Sequence, residues 1–179
     1  MSEVRREFGF ERTVCACAEC TLNCHFIPGY IIPADLERIA KHLGYDDLVE
    51  FAVNHLLASP GATVLEGGQV RQIRTLVPAR RGDGACTFLD SQNHCTIHAV
   101  SGYGCAFFDV HQCKEESDRR SCCGLVQIDR AWRASHLYAR LWLLLEQLAL
   151  KAPSPVEARA RMQASVAARK LLDVSPSAT

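Results

Sequence analysis

The chain contains 179 residues with a mass of 19.8 kDa, enough for one compact domain that buries a core of its own. Hydrophobic residues make up 48% and charged residues 22%, which is ordinary for a globular protein. The 20 basic and 20 acidic residues give a formal net charge of +0. We therefore expect no strong electrostatic field, and no nucleic-acid or membrane partner.

The cysteine content is unusual, at 10 residues. Residues 1–7 alternate in charge and lead into no apolar stretch, so a secretory signal peptide is not predicted. The most apolar stretch, residues 137–150, is interrupted by Arg140 and Glu146 and is too short to span a bilayer. We expect a cytoplasmic protein whose reduced thiols bind metal, with disulfides in an exported protein as the alternative.

The cysteines form two groups along the chain. The first is a tight run, Cys-x-Cys-x2-Cys-x3-Cys, which brings four thiols close enough to share metal. Its last two spacings match the bacterial ferredoxin run, but its first is one residue short and His25 stands in place of the proline. We predict metal ligation by this group, made of Cys15, Cys17, Cys20 and Cys24, and by the second group, made of Cys86, Cys95, Cys105, Cys113, Cys122 and Cys123.

Two helices are predicted between the cysteine groups. Pro33 suits the first turn of a helix and Gly44 suits the position after its last turn, so the first helix lies between them. Asp46 or Asp47 caps the second helix. We expect this helix to continue to residues 59–61, where the sequence Ser-Pro-Gly ends it.

A β-hairpin and a long loop region are predicted next. Residues 63–66 and 69–77 flank two consecutive glycines, which is a typical hairpin link. Residues 78–126 are rich in loops, and only residues 87–89 and 96–98 resemble short strands. Such an irregular stretch gains little stability from its own packing, so we expect metal–thiolate bonds to cross-link it.

The C-terminal part returns to a helical period. Apolar residues from Ile128 onward predict one helix, ended by the Pro-Ser-Pro sequence at residues 153–155. A last helix covers about residues 156–172. Residues 128–150 are apolar on several sides, so we expect them to be buried in the core or against a second copy of the chain.

These elements together predict an α+β fold that is mostly helical. It has irregular cysteine-rich loops around metal, one small β-hairpin and a C-terminal helical hairpin. We expect residues 1–126 to form a metal-binding domain and residues 127–172 to pack on it as helices. Residues 173–179 are expected to be a disordered tail.

Further motifs accompany the cysteines. An aspartate-containing helix follows the first group, then Cys-Thr-Phe-Leu at residues 86–89, Cys-Thr-Ile-His at residues 95–98 and Cys-Ala-Phe-Phe at residues 105–108. This order, over roughly residues 15–109, resembles the YkgJ-type cysteine-cluster family, described as zinc- or iron-chelating proteins. The resemblance implies a metal-binding role for Cys17, Cys20, Cys24, Cys86, Cys95 and Cys105.

The chain also departs from the family pattern. Asn23 stands where the family has its third cysteine, and Cys15 is an added residue that could replace it. Ser101 and Ala106 stand in place of two arginines, and Asp109 in place of a closing proline. Extra metal capacity is implied by the further cysteines Cys113, Cys122 and Cys123.

Zinc and iron–sulfur clusters are both open as cofactors. The thiols suffice for two zinc sites or two [4Fe–4S] clusters, so counting does not separate them. Glycine-rich loops offer amides to cluster sulfide and few histidines have ligand-like spacing, so we favour one or two [4Fe–4S] clusters over Zn²⁺. His98 and His111 lie beside the cysteine loops and are the best polar candidates for a ligand or a proton carrier, but we expect them to be hydrogen-bonded surface residues.

The leading hypothesis is an iron–sulfur protein that transfers electrons to a redox partner or serves as an accessory part of an enzyme system. The first alternative is a zinc-stapled module whose helices contact a protein partner. The second is a metal or cluster carrier, for which exposed ligands around Cys113 and Cys123 would be expected.

Overall fold

The computed structural model describes residues 9–13, 15, 17–66 and 68–173, so the predicted tail beyond residue 173 lies outside it. These ranges contain seven α-helices and one antiparallel hairpin, which confirms the mostly helical α+β fold. No helix within them is long and apolar enough to cross a membrane. The elements are α1 (Ala18–Phe26), α2 (Pro33–His42), α3 (Leu48–His55), β1 (Leu56–Glu66), β2 (Gln69–Pro78), α4 (Tyr103–Ala106), α5 (Lys114–Arg133), α6 (Leu137–Gln147) and α7 (Pro155–Asp173).

The helices α2 and α3 begin where the sequence predicts, but α3 ends early. Gly44 follows α2 with φ +81°, the conformation expected of a residue just after a helix. Asp47 caps α3 by accepting a hydrogen bond from an amide of the first turn. The helix ends at His55 and the chain enters β1, so the predicted helix end at residues 59–61 is wrong.

Asp35 joins α2 to the helix that carries Cys105. Its carboxylate is wholly buried, and Oδ2 accepts hydrogen bonds from the amides of Ile32 (3.0 Å) and Tyr103 (2.7 Å). Arg38 donates to Oδ1 at 2.6 Å. Tyr103 is the first residue of α4, so this one carboxylate sets the position of α4 against α2.

The predicted hairpin forms, and residues 59–61 make a bulge in it. β1 pairs with β2 except for a register shift between Ser59 and Ala62. Gly61 lies in this shift with φ +75°. The ring N–H of Trp142 donates to the Ser59 carbonyl at 2.9 Å. The irregularity therefore supplies a contact between the hairpin and α6.

Gly61→Ala is expected to destabilise the fold by more than the roughly 1–2 kcal/mol that a left-handed residue with a side chain costs. The reason is that an added Cβ would also overlap the backbone carbonyl of Ile73 on β2. Gly44→Ala is the matched control, because φ is also positive there but no neighbouring atom lies within 4 Å of the added Cβ. Urea unfolding measures both variants, and equal losses would contradict the prediction.

The C-terminal helices are divided differently from the prediction. α5 begins inside the predicted loop region, residues 78–126. The chain then turns at Ser135, which has φ +50°, and His136 caps α6. The single helix predicted over residues 128–150 is therefore wrong, since it covers the end of α5 and all of α6. α7 agrees closely with the helix predicted over residues 156–172.

The short strands predicted at residues 87–89 and 96–98 are also wrong. This region is built from tight turns closed by two isolated β-bridges, Arg80 with Cys86 and Leu89 with Cys95. Each turn is too short for a ladder of hydrogen bonds to form. Cys86 and Cys95 therefore lie on turns and not on a sheet.

Tyr138 holds three elements together at the centre of the molecule. Its hydroxyl donates to the Ile31 carbonyl at 2.8 Å and accepts from the Leu76 amide at 2.7 Å. The side chain is wholly buried, and both hydrogen bonds are shielded from water. They connect α6 to β2 and to the segment that enters α2.

Candidate metal centre

Three cysteines of the first group meet a histidine from a distant loop. The thiols of Cys15, Cys17 and Cys20 and a ring nitrogen of His111 all lie within 4.8 Å of one another. Within the described ranges, no other three ligand atoms from His, Cys, Asp or Glu come this close together. His111 is exposed, as the sequence predicts, and it also belongs to the potential ligand set, which is the less favoured of the two roles considered for it.

The first turn of α1 places two of these thiols. Cys17 is the N-cap, and its Sγ accepts a hydrogen bond from the Cys20 amide at 3.4 Å. Residues three apart in a helix share a face, so the Cys20 thiol lies on the side of the Cys17 thiol. The His111 Nε2 lies 3.4 Å from the Cys17 Sγ. The positive end of the helix dipole favours a thiolate at this position.

Asp109 and Thr13 hold the other two ligand-bearing segments together. The Thr13 hydroxyl donates to Asp109 Oδ2 at 2.7 Å, and the His111 amide donates to Oδ1 at 2.9 Å. The Cys15 amide donates to the Thr13 hydroxyl at 3.3 Å. Asp109, which stands where the family motif has proline, thus positions both Cys15 and His111.

Cys17 and Cys20 differ in the direction in which their surroundings shift the pKa. The hydrogen bond from the Cys20 amide, followed by the contact with His111, lowers the pKa of Cys17 to about 6. Loss of solvent raises the pKa of Cys20 to about 12. The hydrogen bond with Cys17 raises the pKa of His111. Cys17 is therefore a thiolate, and a metal ion that binds here displaces the proton of Cys20.

Four other cysteines surround the C-terminal end of α1. Cys24 lies in its last turn, and its carbonyl accepts a hydrogen bond from the Cys86 amide at 2.7 Å. Cys95 lies on the neighbouring turn, and Cys105 lies on α4. The structure thus places Cys24 with members of the second sequence group.

These four thiols influence one another electrostatically. Burial raises the pKa of each of them, to about 12 for Cys86. Negative charge on Cys95 further raises the pKa of Cys24 and Cys86, and charge on any of these three raises the pKa of Cys105. Cys24, Cys86 and Cys105 therefore lose a proton less readily when another thiol of this set is charged.

The remaining three cysteines lie at the start of α5 or along it. Cys113 caps the helix and is exposed, as is Cys122, whereas Cys123 is half-buried against the core. Their role as ligands stays a prediction. His25 is also outside the ligand set and makes a hydrogen bond of 3.1 Å with the Asn93 side chain.

The centre at Cys15, Cys17, Cys20 and His111 suits a single ion. Three thiolates and one imidazole are a common zinc ligand set, with Zn–S distances of about 2.3 Å and Zn–N distances of about 2.0 Å. A tetrahedral zinc site with these bond lengths has ligand atoms roughly 3.5–3.8 Å apart. The four ligand atoms lie within 4.8 Å of one another, so they would have to move only slightly closer together to bind zinc. In a [4Fe–4S] cluster each thiolate binds a different iron, so its ligands stand farther apart.

No protein-family model, curated protein or solved structure matches this chain. The resemblance to YkgJ-type proteins therefore stays a prediction. What the protein does has to be argued from its own residues.

Proposed function

We propose that this chain is a metalloprotein in which Cys15, Cys17, Cys20 and His111 bind one zinc ion. The observation that supports this is the meeting of four ligand atoms within 4.8 Å. They come from the N-terminal segment, the first turn of α1 and the loop before α5. An ion bound by all four would fasten these three segments together.

The properties of α1 support a structural role for this ion. The helix has nine residues, and none of them is fully buried. A helix this short is not stable on its own, and it gains little from apolar packing here. Ligation of Cys17 and Cys20 would supply the missing attachment, as it does in small zinc domains.

The exposure of the centre bears on its second candidate role. Cys17 and His111 are both exposed, so a bound ion would be within reach of a protein partner. This favours metal carriage as the alternative to a structural ion. Zinc has no redox chemistry, so electron transfer would require a different centre.

All ten cysteines are free thiols, consistent with the reducing, cytoplasmic location that we propose.

Cys20→Ser is expected to lose one equivalent of zinc, because it removes one of the four ligands. Cys122→Ser is the matched control, since Cys122 is an exposed cysteine on α5. Metal analysis of the purified proteins measures the loss, and Co²⁺ titration reports the ligands through visible absorption. Full zinc content in the Cys20 variant would contradict the proposal. The exchange rate of bound zinc separates a structural ion, which leaves slowly, from a carried one.

A further inference from the structure

Backbone hydrogen bonds hold the two turns that carry Cys86 and Cys95 side by side. The Leu89 amide donates to the Cys86 carbonyl at 3.0 Å, and Leu89 pairs with Cys95 in a β-bridge. The Thr96 amide donates to the Phe88 carbonyl at 2.8 Å. Together with the hydrogen bond between Cys86 and α1, these contacts hold three thiol-bearing segments in one place.

Two glycines allow the fourth thiol to approach. The Gly104 amide donates to the Tyr30 carbonyl at 2.8 Å, and a Cβ at Gly29 would lie closer than 3.0 Å to the Gly104 backbone. The next residue is Cys105, whose thiol faces the Gly29 carbonyl at 3.9 Å. The two backbones can come this close only because both residues lack a side chain, and the contact holds Cys105 against the segment that follows α1.

The surroundings of these thiols are apolar. Cys86 is only 7% exposed, and the neighbouring Phe88 and Ile97 are 4% and 3% exposed. Cys24 and Cys95 pack against the same core. A cysteine can be an inert small hydrophobe in such a place. Here, however, four cysteines come from four different segments. Three of these segments are turns or a very short helix with little packing of their own, which indicates that the four thiols bind one metal group.

The spacing of the thiols distinguishes this group from the zinc centre. All four residues lie in the described part of the chain, yet no three of their sulfurs are within 4.8 Å of one another. A single tetrahedral ion needs ligands closer than this, whereas a [4Fe–4S] cluster takes its four thiolates on four different irons. The wider set therefore suits a cluster.

We propose that Cys24, Cys86, Cys95 and Cys105 bind a [4Fe–4S] cluster, as a second centre separate from the zinc centre. The cluster would exchange single electrons with a redox partner, which zinc cannot do. The proposal uses none of the residues of the zinc centre. Removing the ligands of one centre therefore leaves all the ligands of the other in place.

Anaerobic reconstitution with ferrous iron and sulfide tests the second centre. The wild-type protein is expected to hold about four irons and four sulfides per chain and to turn brown. Replacing Cys15, Cys17 and Cys20 together by serine should remove zinc and leave iron and sulfide unchanged. The variants Cys24→Ser and Cys95→Ser should lose most of the iron and sulfide and keep their zinc. Triple replacement of Cys113, Cys122 and Cys123 by serine tests whether these predicted ligands take part, and we expect it to leave the iron, sulfide and zinc contents unchanged.

Several results would overturn the proposal. A wild-type protein that takes up no sulfide, or that binds two zinc ions, excludes the cluster. Loss of iron and sulfide from the variant without Cys15, Cys17 and Cys20 would place the cluster at the other centre. If Cys24→Ser and Cys95→Ser fail to fold by circular dichroism, the wild-type count and the two triple variants still decide the question. The zinc proposal is tested separately, by whether the variant without Cys15, Cys17 and Cys20 loses its zinc.

Discussion

The Gly29→Ala variant is expected to lose iron and sulfide binding and at least about 3 kcal/mol of unfolding free energy. The added Cβ would overlap the carbonyl of Gly104 and the amide of Cys105. These are backbone atoms, so no change of rotamer can relieve the overlap. The two segments must move apart, which breaks the hydrogen bond from Gly104 to Tyr30 and withdraws the Cys105 thiol.

Gly82→Ala is the control for this experiment. Gly82 lies in the loop before Cys86, and no neighbouring atom lies within 4 Å of its added Cβ. We expect its unfolding free energy to stay within about 0.5 kcal/mol of the wild type. Urea unfolding and metal analysis are applied to both variants. A Gly29→Ala protein with wild-type stability and a full cluster would refute the importance of this contact.

The Asp35→Ala variant is expected to lose about 3–5 kcal/mol of unfolding free energy. The substitution leaves the amides of Ile32 and Tyr103 without their buried acceptor. It also removes the charge that faces Arg38, which still donates a hydrogen bond to the Ser101 carbonyl at 3.0 Å. The start of α4 would no longer be anchored to α2.

Asp35→Asn separates the contribution of the amide hydrogen bonds from that of the carboxylate charge. Asparagine keeps one carbonyl oxygen for the two amides but does not carry the charge that pairs with Arg38. We expect a loss of stability smaller than that of Asp35→Ala. Denaturant unfolding measures both variants under the same conditions. An Asp35→Ala protein within 1 kcal/mol of the wild type would show that this carboxylate does not anchor α4.

Local signals explain which helices could be predicted. Pro33 and Gly44 mark the ends of α2, and proline marks the start of α7, because these residues restrict or permit the backbone wherever they stand. The break between α5 and α6 carries no such signal. Ser135 adopts a conformation usual for glycine, and apolar residues continue in helical period on both sides of it.

The candidate site could be predicted only where its ligands are close in sequence. Cys15, Cys17 and Cys20 are neighbours along the chain, but His111 is 94 residues from Cys17. Its approach depends on the hydrogen bond between Thr13 and Asp109, which no spacing rule reveals. The sequence groups Cys24 with the first three cysteines. Because these residues form a helix, Cys24 lies about 6 Å beyond Cys20 along its axis.

In the two centres that we propose, ligands lie at both ends of α1, with Cys17 at the N-cap, Cys20 in the first turn and Cys24 in the last. Binding at the first centre to be occupied would include the entropic cost of ordering these nine residues. Binding at the other centre would then be more favourable, because the helix is already ordered. The two binding equilibria are then linked, and each raises the affinity of the other by the same factor. Loss of zinc would then weaken the affinity of the iron–sulfur centre through this one short helix, although an excess of iron and sulfide would still fill that centre.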